Sequence, residues 1–121
     1  MNILIVDDEL LIRRSLSRAL AGQGHVCVEA ENGAEALALL ATSTFDMMIL
    51  DLIMPVKSGY DVIQECLQQL PIFIISAFSG PELSADYLKS DPRIRLVIKK
   101  PFENLFETVN LILKTDSRGA P

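Results

Sequence analysis

The sequence has few cysteines and no cluster of basic residues. Its two cysteines, Cys27 and Cys66, stand among apolar neighbours without a CxxC or Cys/His spacing. This pattern predicts two small buried side chains rather than a disulfide or a zinc site. The formal net charge is -5, with no Lys/Arg stripe. Because proteins meet phosphate backbones with clustered Lys and Arg, we expect no direct nucleic acid binding.

The sequence also lacks a basic leader and a long apolar run. The opening stretch "MNILIVDDE" reaches two aspartates within eight residues, which fits neither a signal peptide nor a membrane-spanning helix. We therefore expect a cytoplasmic protein that does not enter a membrane. The single histidine, His25, is expected on an edge strand rather than as a metal ligand or phosphocarrier.

The length and composition bound the number of domains. Half of the 121 residues are apolar, which is enough for one compact core and too little for two. We predict one domain over residues 1–114. Residues 115–121, polar and containing Gly and Pro, are predicted to be a flexible tail or the beginning of a linker.

Short apolar runs alternate with stretches of helical periodicity, which predicts an α/β fold of five βα units. Strands are predicted near 2–6, 25–29, 46–50, 71–75 and 94–98. The first, third and fourth are apolar throughout, as in central parallel strands covered on both faces. The second and fifth are mixed, and Arg93, Arg95 and Lys99 share one parity that should face solvent. These features fit a doubly wound sheet of order 2-1-3-4-5, although other orders with the same edges remain open.

Capping signals and apolar spacing place the helices. Asn32 with Glu35, and Ser79 with Glu82, can each form a capping box. A third helix is predicted to begin at Ser58 and Gly59 and to bury Ile63, Cys66, Leu67 and Leu70. The last helix carries one apolar stripe, formed by Phe102, Leu105, Phe106, Val109, Ile112 and Leu113.

Four of the five predicted strands end on polar side chains. In a doubly wound sheet the carboxyl ends of the strands form the ligand-binding edge. The first strand runs into Asp7 and Asp8, the third into Asp51, the fourth into Ser76 and the fifth into Lys99 and Lys100, whereas the second strand's Glu29 has no evident role. Three crowded carboxylates favour a cation. Oxygen ligands and a site suited to phosphate indicate Mg²⁺.

Four motifs, in this order and spacing, resemble the receiver domain of two-component response regulators: "ILIVDDE", "DLIMPVKSG", "ISA" and "KPF". The resemblance covers nearly the whole chain and implies the flavodoxin-like (βα)5 fold. It implies that Asp51 is the phosphoacceptor and that Asp7, Asp8, Asp51 and the backbone carbonyl of Ile53 hold Mg²⁺. Ser76 would contact the phosphoryl group, and Lys100 would neutralise its charge.

The resemblance also implies a signalling role. A sensor histidine kinase or a histidine phosphotransfer protein would donate the phosphoryl group, and a downstream effector protein or domain would receive the signal. The face formed by the fourth and fifth predicted helices and the fifth strand would switch, and it could support a homodimer with charge from Arg93 and Arg95. The domain would not be an enzyme, because it would catalyse only its own phosphorylation and dephosphorylation.

Two alternatives stay open at the level of sequence. Val97 stands where many receivers carry an aromatic switch residue, which leaves room for an interaction module that does not use phosphorylation. The intact acidic, hydroxyl and lysine set argues against that alternative. A haloacid-dehalogenase-type hydrolase would need a second aspartate two residues after the nucleophile, and Ile53 occupies that place.

Overall fold

The sheet has the predicted strand order. This computed structural model describes residues 1–77, 90–100, 102 and 104–115. The described residues form five parallel strands in the order β2-β1-β3-β4-β5. They span Asn2–Val6 (β1), Val26–Ala30 (β2), Met47–Asp51 (β3), Ile72–Ser76 (β4) and Ile94–Lys99 (β5). The predicted strands are confirmed to within one residue at each end.

Helices flank the sheet on both sides. They are Leu10–Ala21 (α1), Gly33–Thr42 (α2), Gly59–Glu65 (α3) and the C-terminal helix, Leu105–Thr115. The helix predicted to begin at Ser79 and residues 116–121 of the predicted tail lie outside the described residues, whereas Thr115, predicted as the first tail residue, is the last residue of the C-terminal helix. Among the helices that the structure describes, none has the length and apolar character needed to cross a membrane.

Alternate strand residues face two separate cores. Leu4 of β1 and Leu50 of β3 pack on the side of α2 and α3. Ile5 and Ile49, one residue away, pack with buried residues of α1 and the C-terminal helix. Because the central strands are covered on both faces, they have no solvent-facing parity and are apolar throughout. The two edge strands alternate or are half-buried, as predicted.

Side-chain caps begin two of the helices. The Asn32 side chain accepts a hydrogen bond from Glu35 N–H at 2.8 Å, at the start of α2. Ser58 and Asp61 form a reciprocal capping box at the start of α3. These bonds satisfy backbone donors that the first helical turn leaves unpaired, and they confirm the predicted starts of both helices.

The predicted burial of Leu67 is wrong. Helix α3 ends at Glu65, and Cys66 adopts an extended conformation. The helical spacing therefore stops before Leu67, whose side chain is 90% exposed. Ile63, Cys66 and Leu70 are buried as predicted.

Arg93 does not share the solvent-facing role predicted for it with Arg95 and Lys99. Its guanidinium donates to the carbonyl oxygens of Ile63, Cys66 and Gln68 at 2.7–3.0 Å. It also pairs with Asp91 at 2.7 Å. These carbonyls are left without helical partners at the end of α3, so Arg93 is drawn inward and caps that helix. Its charge is not presented to a dimer partner.

The apolar stripe of the C-terminal helix is confirmed except at Phe102 and Phe106: Phe102 packs against the same core but precedes the helix, which begins at Leu105. Val109 and Ile112 are fully buried, whereas Phe106 is 68% exposed. Phe106 lies in the first turn, where it lines an open groove with Ser15 and Arg18 of α1. Most of the Phe106 side chain stays in solvent, so the buried stripe is narrower than the apolar spacing predicts.

Replacing Val56 by glycine should raise the free energy of unfolding by about 1 kcal/mol, because the backbone here is strained for a β-branched residue. Val56 has a φ of 70°, and Lys57 N–H closes the turn onto Pro55 O at 2.9 Å. Its side chain is 78% exposed, so little packing is lost. Urea denaturation measures the change. Val26→Gly, at an exposed strand position, is the control and should destabilise the protein. Equal destabilisation by both variants would show that the backbone at Val56 is not strained.

Candidate functional site

The carboxyl ends of four strands bring the predicted polar residues to one edge of the sheet. Asp7 follows β1, Asp51 and Ser76 end β3 and β4, and Lys100 follows β5. All four residues are buried, with exposed fractions of 0%, 4%, 0% and 6% respectively. Asp8 is exposed at the rim. A buried charged group is stable only with close partners, so each of the three charged residues needs a group that compensates its charge.

Three carboxylates converge at this edge. Oxygen atoms of Asp7, Asp8 and Asp51 lie within 4.8 Å of one another. Asp7 Oδ2 is buried and forms an ion pair with Lys100. Three carboxylates this close together repel one another and suit a hard cation with oxygen ligands. The donor set therefore fits a divalent metal ion.

Lys100 supplies the positive charge of the site. Its ammonium lies 2.6 Å from Asp7 Oδ2, 3.3 Å from Asp51 Oδ2 and 3.4 Å from Glu9 Oε1. The contact with Asp7 is a close ion pair, so the ammonium lies directly against that buried oxygen. Lys100 N–H donates to Ser76 O at 2.8 Å, which fixes the start of the lysine side chain beside β4.

Burial and charge shift the pKa values of the three central groups. Burial raises the pKa of Asp51 to about 6, with Lys100 opposing the rise and Asp7 adding to it. Burial also raises the pKa of Asp7, against the effect of Lys100. For Lys100, burial acts to lower the pKa, but the Asp7 and Asp51 carboxylates outweigh it and the pKa is raised. One ammonium therefore does not fully compensate the buried acids, and a bound cation would complete the balance.

Backbone donors orient the two buried aspartates. Glu9 N–H donates to Asp7 Oδ1 at 2.9 Å, and Ile53 N–H donates to Asp51 Oδ1 at 3.3 Å. Each carboxylate thus has one oxygen held by the loop that follows it and a second oxygen directed towards Lys100. The metal-binding role of the Ile53 carbonyl and the phosphoryl contact of Ser76 stay predictions.

Further residues, which the sequence does not predict, contact the site. Glu9 contacts Lys100, a role that its place directly after the two aspartates could have suggested. Arg13 of α1 donates to Asp7 O at 2.8 Å and to Glu29 Oε1 at 3.2 Å. Glu29, which the sequence left without a role, therefore supports the site from the edge strand β2. No local pattern signals this long-range contact.

Comparisons with known proteins agree on one family. Residues 3–110 match the family described as "Response regulator receiver domain". The DNA-binding transcriptional regulator NtrC of Escherichia coli is 41% identical over 80 residues, covering 64% of this chain and 17% of that protein. The chain spans less than two thirds of the length of each of the curated relatives RR06, ycf27 and NtrC that it matches.

Solved structures show the same architecture. The chemotaxis response regulator CheY4 of Vibrio cholerae is 30% identical with a TM-score of 0.80, covering 93% of this chain and 95% of that one. TrrA of Thermotoga maritima, solved in complex with Mg²⁺ and BeF, is 32% identical with a TM-score of 0.73, covering 94% of this chain and 97% of that one. Both similarities extend over nearly the whole chain.

Proposed function

Because this chain belongs to the response regulator receiver domain family of two-component systems, we propose that Asp51 accepts a phosphoryl group from a phosphohistidine. The donor is a sensor histidine kinase or a histidine phosphotransfer protein. The observation that carries this proposal is the placement of the Asp51 carboxylate beside Lys100, Asp7 and Asp8 at one edge of the sheet.

Asp51 is suited to nucleophilic attack. A carboxylate oxygen forms a bond to phosphorus while the bond from phosphorus to the donor imidazole nitrogen breaks, and the electron pair remains on the imidazole. The product on Asp51 is an acyl phosphate. Transfer of this kind depends mainly on positioning and charge stabilisation. The hydrogen bond from Ile53 N–H to one Asp51 oxygen leaves the other oxygen on the Lys100 side, where the phosphoryl group would enter.

Mg²⁺ is the cation that we assign to this site. Asp7, Asp8, Asp51 and the Ile53 carbonyl would hold it, and when bound it supplies positive charge to the phosphoryl oxygens. The three crowded carboxylates, which offer oxygen ligands, support this assignment. The related TrrA was solved with Mg²⁺ and BeF, which supports the choice of metal.

Ser76 and Lys100 complete the site. The Ser76 hydroxyl donates to a phosphoryl oxygen, and the Lys100 ammonium pairs with another. Lys100 is already shared by carboxylates, so arrival of the phosphoryl group redistributes its contacts. The domain acts on itself alone, catalysing its own phosphorylation and dephosphorylation, and is not an enzyme with a separate substrate.

The partners follow from this role. Phosphorylation changes the affinity of the face around β5 for an effector protein or domain, or for a second copy of this chain. Arg95 and Lys99 remain exposed there, while Val97 is 37% exposed and takes the place of an aromatic switch residue. We also propose a cytoplasmic location, because the domain would there receive its phosphoryl group from the kinase. The family match and the assembled site disfavour the interaction module that does not use phosphorylation.

Intact mass spectrometry after incubation with acetyl phosphate tests the proposal. The expected result is one phosphoryl adduct that requires Mg²⁺ and is absent in Asp51→Asn. Asp46→Asn is the matched control, because Asp46 precedes the opposite end of the same strand. That variant should form the adduct as the native chain does. A folded native chain that forms no adduct, or an adduct that survives in Asp51→Asn, would refute the proposal.

A further inference from the structure

Arg13 links α1, β2 and the loop that carries the metal-binding aspartates. Its side chain is largely buried, and Nη1 donates to the backbone carbonyl of Asp7 at 2.8 Å. Its Nε donates to Glu29 at 3.2 Å. We propose that Arg13 is a positioning residue that holds the β1–α1 loop in the geometry needed to bind Mg²⁺. This inference rests on the proposed function, since it concerns the same metal site.

The Asp7 carbonyl determines how Asp7 and Asp8 sit relative to each other. It belongs to the planar peptide group that joins the two residues, so fixing its oxygen fixes the plane from which Asp8 departs. The other polar groups of Asp7 are also held. Its N–H donates to Ala30 O at 3.1 Å, and its Oδ1 accepts from Glu9 N–H at 2.9 Å. The remaining backbone group of Asp7 is its carbonyl, which accepts a hydrogen bond from the Arg13 side chain.

Glu29 fixes the direction of the Arg13 guanidinium. Its carboxylate accepts from Arg13 on one oxygen and from Ser17 Oγ at 3.2 Å on the other. A planar guanidinium can serve the Glu29 carboxylate and the Asp7 carbonyl at once, because its donors point in fixed directions. A lysine ammonium is a point charge without that fork. Residues that orient metal ligands commonly change metal affinity by about 10- to 100-fold when replaced.

If Arg13 acted only through its charge, its removal would change Mg²⁺ affinity in the opposite direction from the one expected of a positioning residue. Removing the Arg13 charge would relieve its repulsion of Mg²⁺ and favour binding of the metal, whereas loss of the backbone contact would weaken binding. Arg14 provides the matched comparison within the same helix. It lies 3.5 Å from the same Glu29 carboxylate, but its side chain is exposed, and it pairs with Glu29 rather than with Asp7.

The test is the Mg²⁺ affinity of Arg13→Met and Arg14→Met at pH 8, measured by calorimetry with the metal alone. Methionine keeps an apolar stem in place of each arginine. We expect Arg13→Met to bind Mg²⁺ about 10-fold more weakly and Arg14→Met to stay within about twofold of the native chain. Equal or tighter binding by Arg13→Met would overturn the inference, provided that the native chain binds Mg²⁺. A native chain that binds no Mg²⁺ would instead overturn the proposed function.

A second variant and a second readout guard against a folding defect. Arg13→Lys keeps the charge, and we expect it to bind Mg²⁺ several-fold more weakly than the native chain. Native affinity in Arg13→Lys would show that charge alone matters and would overturn the inference. Without metal, the Glu9 amide should exchange with solvent faster in Arg13→Lys than in Arg14→Met, because the loop that holds it is released. Equal exchange rates would also overturn the inference.

Discussion

Replacing Asp51 by asparagine should raise the free energy of unfolding of the metal-free protein by about 3 kcal/mol at pH 8. The pKa of Asp51 rises from 3.8 to about 6 on folding, mainly through burial. The raised pKa means that folding favours the protonated Asp51 carboxyl over the ionised one. The stability of the native chain relative to the variant is therefore greatest below pH 4, and it is lost as the pH rises through about 6. Asparagine resembles the protonated acid and does not titrate. The advantage of the variant should therefore nearly vanish below pH 4.

Urea denaturation in EDTA at several pH values measures this effect. Glu31→Gln, which removes the same charge from an exposed position, is the control and should change stability little at any pH. Adding Mg²⁺ should stabilise the native chain, because a ligand that binds the folded state alone raises its stability. The difference in free energy of unfolding between Asp51→Asn and the native chain should then narrow or reverse. A destabilised Asp51→Asn protein at pH 8 without metal would show that the ion pair with Lys100 outweighs the cost of burial.

Gly59→Ala should lower the free energy of unfolding by about 3 kcal/mol, which is a large effect for adding one methyl group. Gly59 begins α3 and donates its N–H to Leu52 O at 2.9 Å. A Cβ at this position would overlap the carbonyl oxygen of Asp51 and lie 2.7 Å from Leu52 Cα. Both are backbone atoms, so no rotamer change relieves the clash. Either α3 or the backbone of the phosphoacceptor must move.

Gly22→Ala is the matched control for this substitution. At Gly22 a Cβ would meet its nearest neighbour at 3.4 Å, and the backbone has helical φ and ψ. Alanine should therefore be neutral or slightly stabilising there. Urea denaturation gives the free energy of unfolding of both variants. Titration of the folded proteins with Mg²⁺ then compares their affinities for the metal. A Gly59→Ala protein as stable as Gly22→Ala would show that the chain relaxes at the start of α3 without cost.

Most of the fold can be predicted from local patterns. The continuous apolar runs of β1, β3 and β4 indicate central strands, and the mixed composition of β2 and β5 indicates edges. Since strand order then brings four strand ends to one edge, the cluster of Asp7, Asp51, Ser76 and Lys100 also follows from sequence. These inferences succeed because burial on both faces of a parallel sheet leaves a direct compositional signal.

The contacts that sequence misses are long-range or depend on where a helix stops. The bond from Arg13 to the Asp7 carbonyl and the inward capping of α3 by Arg93 depend on tertiary geometry. The exposure of Leu67 follows from the end of α3 at Glu65, which the apolar spacing does not indicate. Local periodicity identifies helical faces, but it does not show which backbone carbonyls will recruit a distant side chain.

The most direct test of the central claim is to locate the phosphoryl group on the chain. The protein is treated with acetyl phosphate and Mg²⁺ and then with borohydride, which reduces an acyl phosphate to an alcohol, and its peptides are sequenced by tandem mass spectrometry. We expect reduction of one aspartate, Asp51, to homoserine, and no such product without Mg²⁺. Reduction at Asp7 or Asp8, or an unmodified Asp51 in a folded and metal-loaded chain, would contradict it.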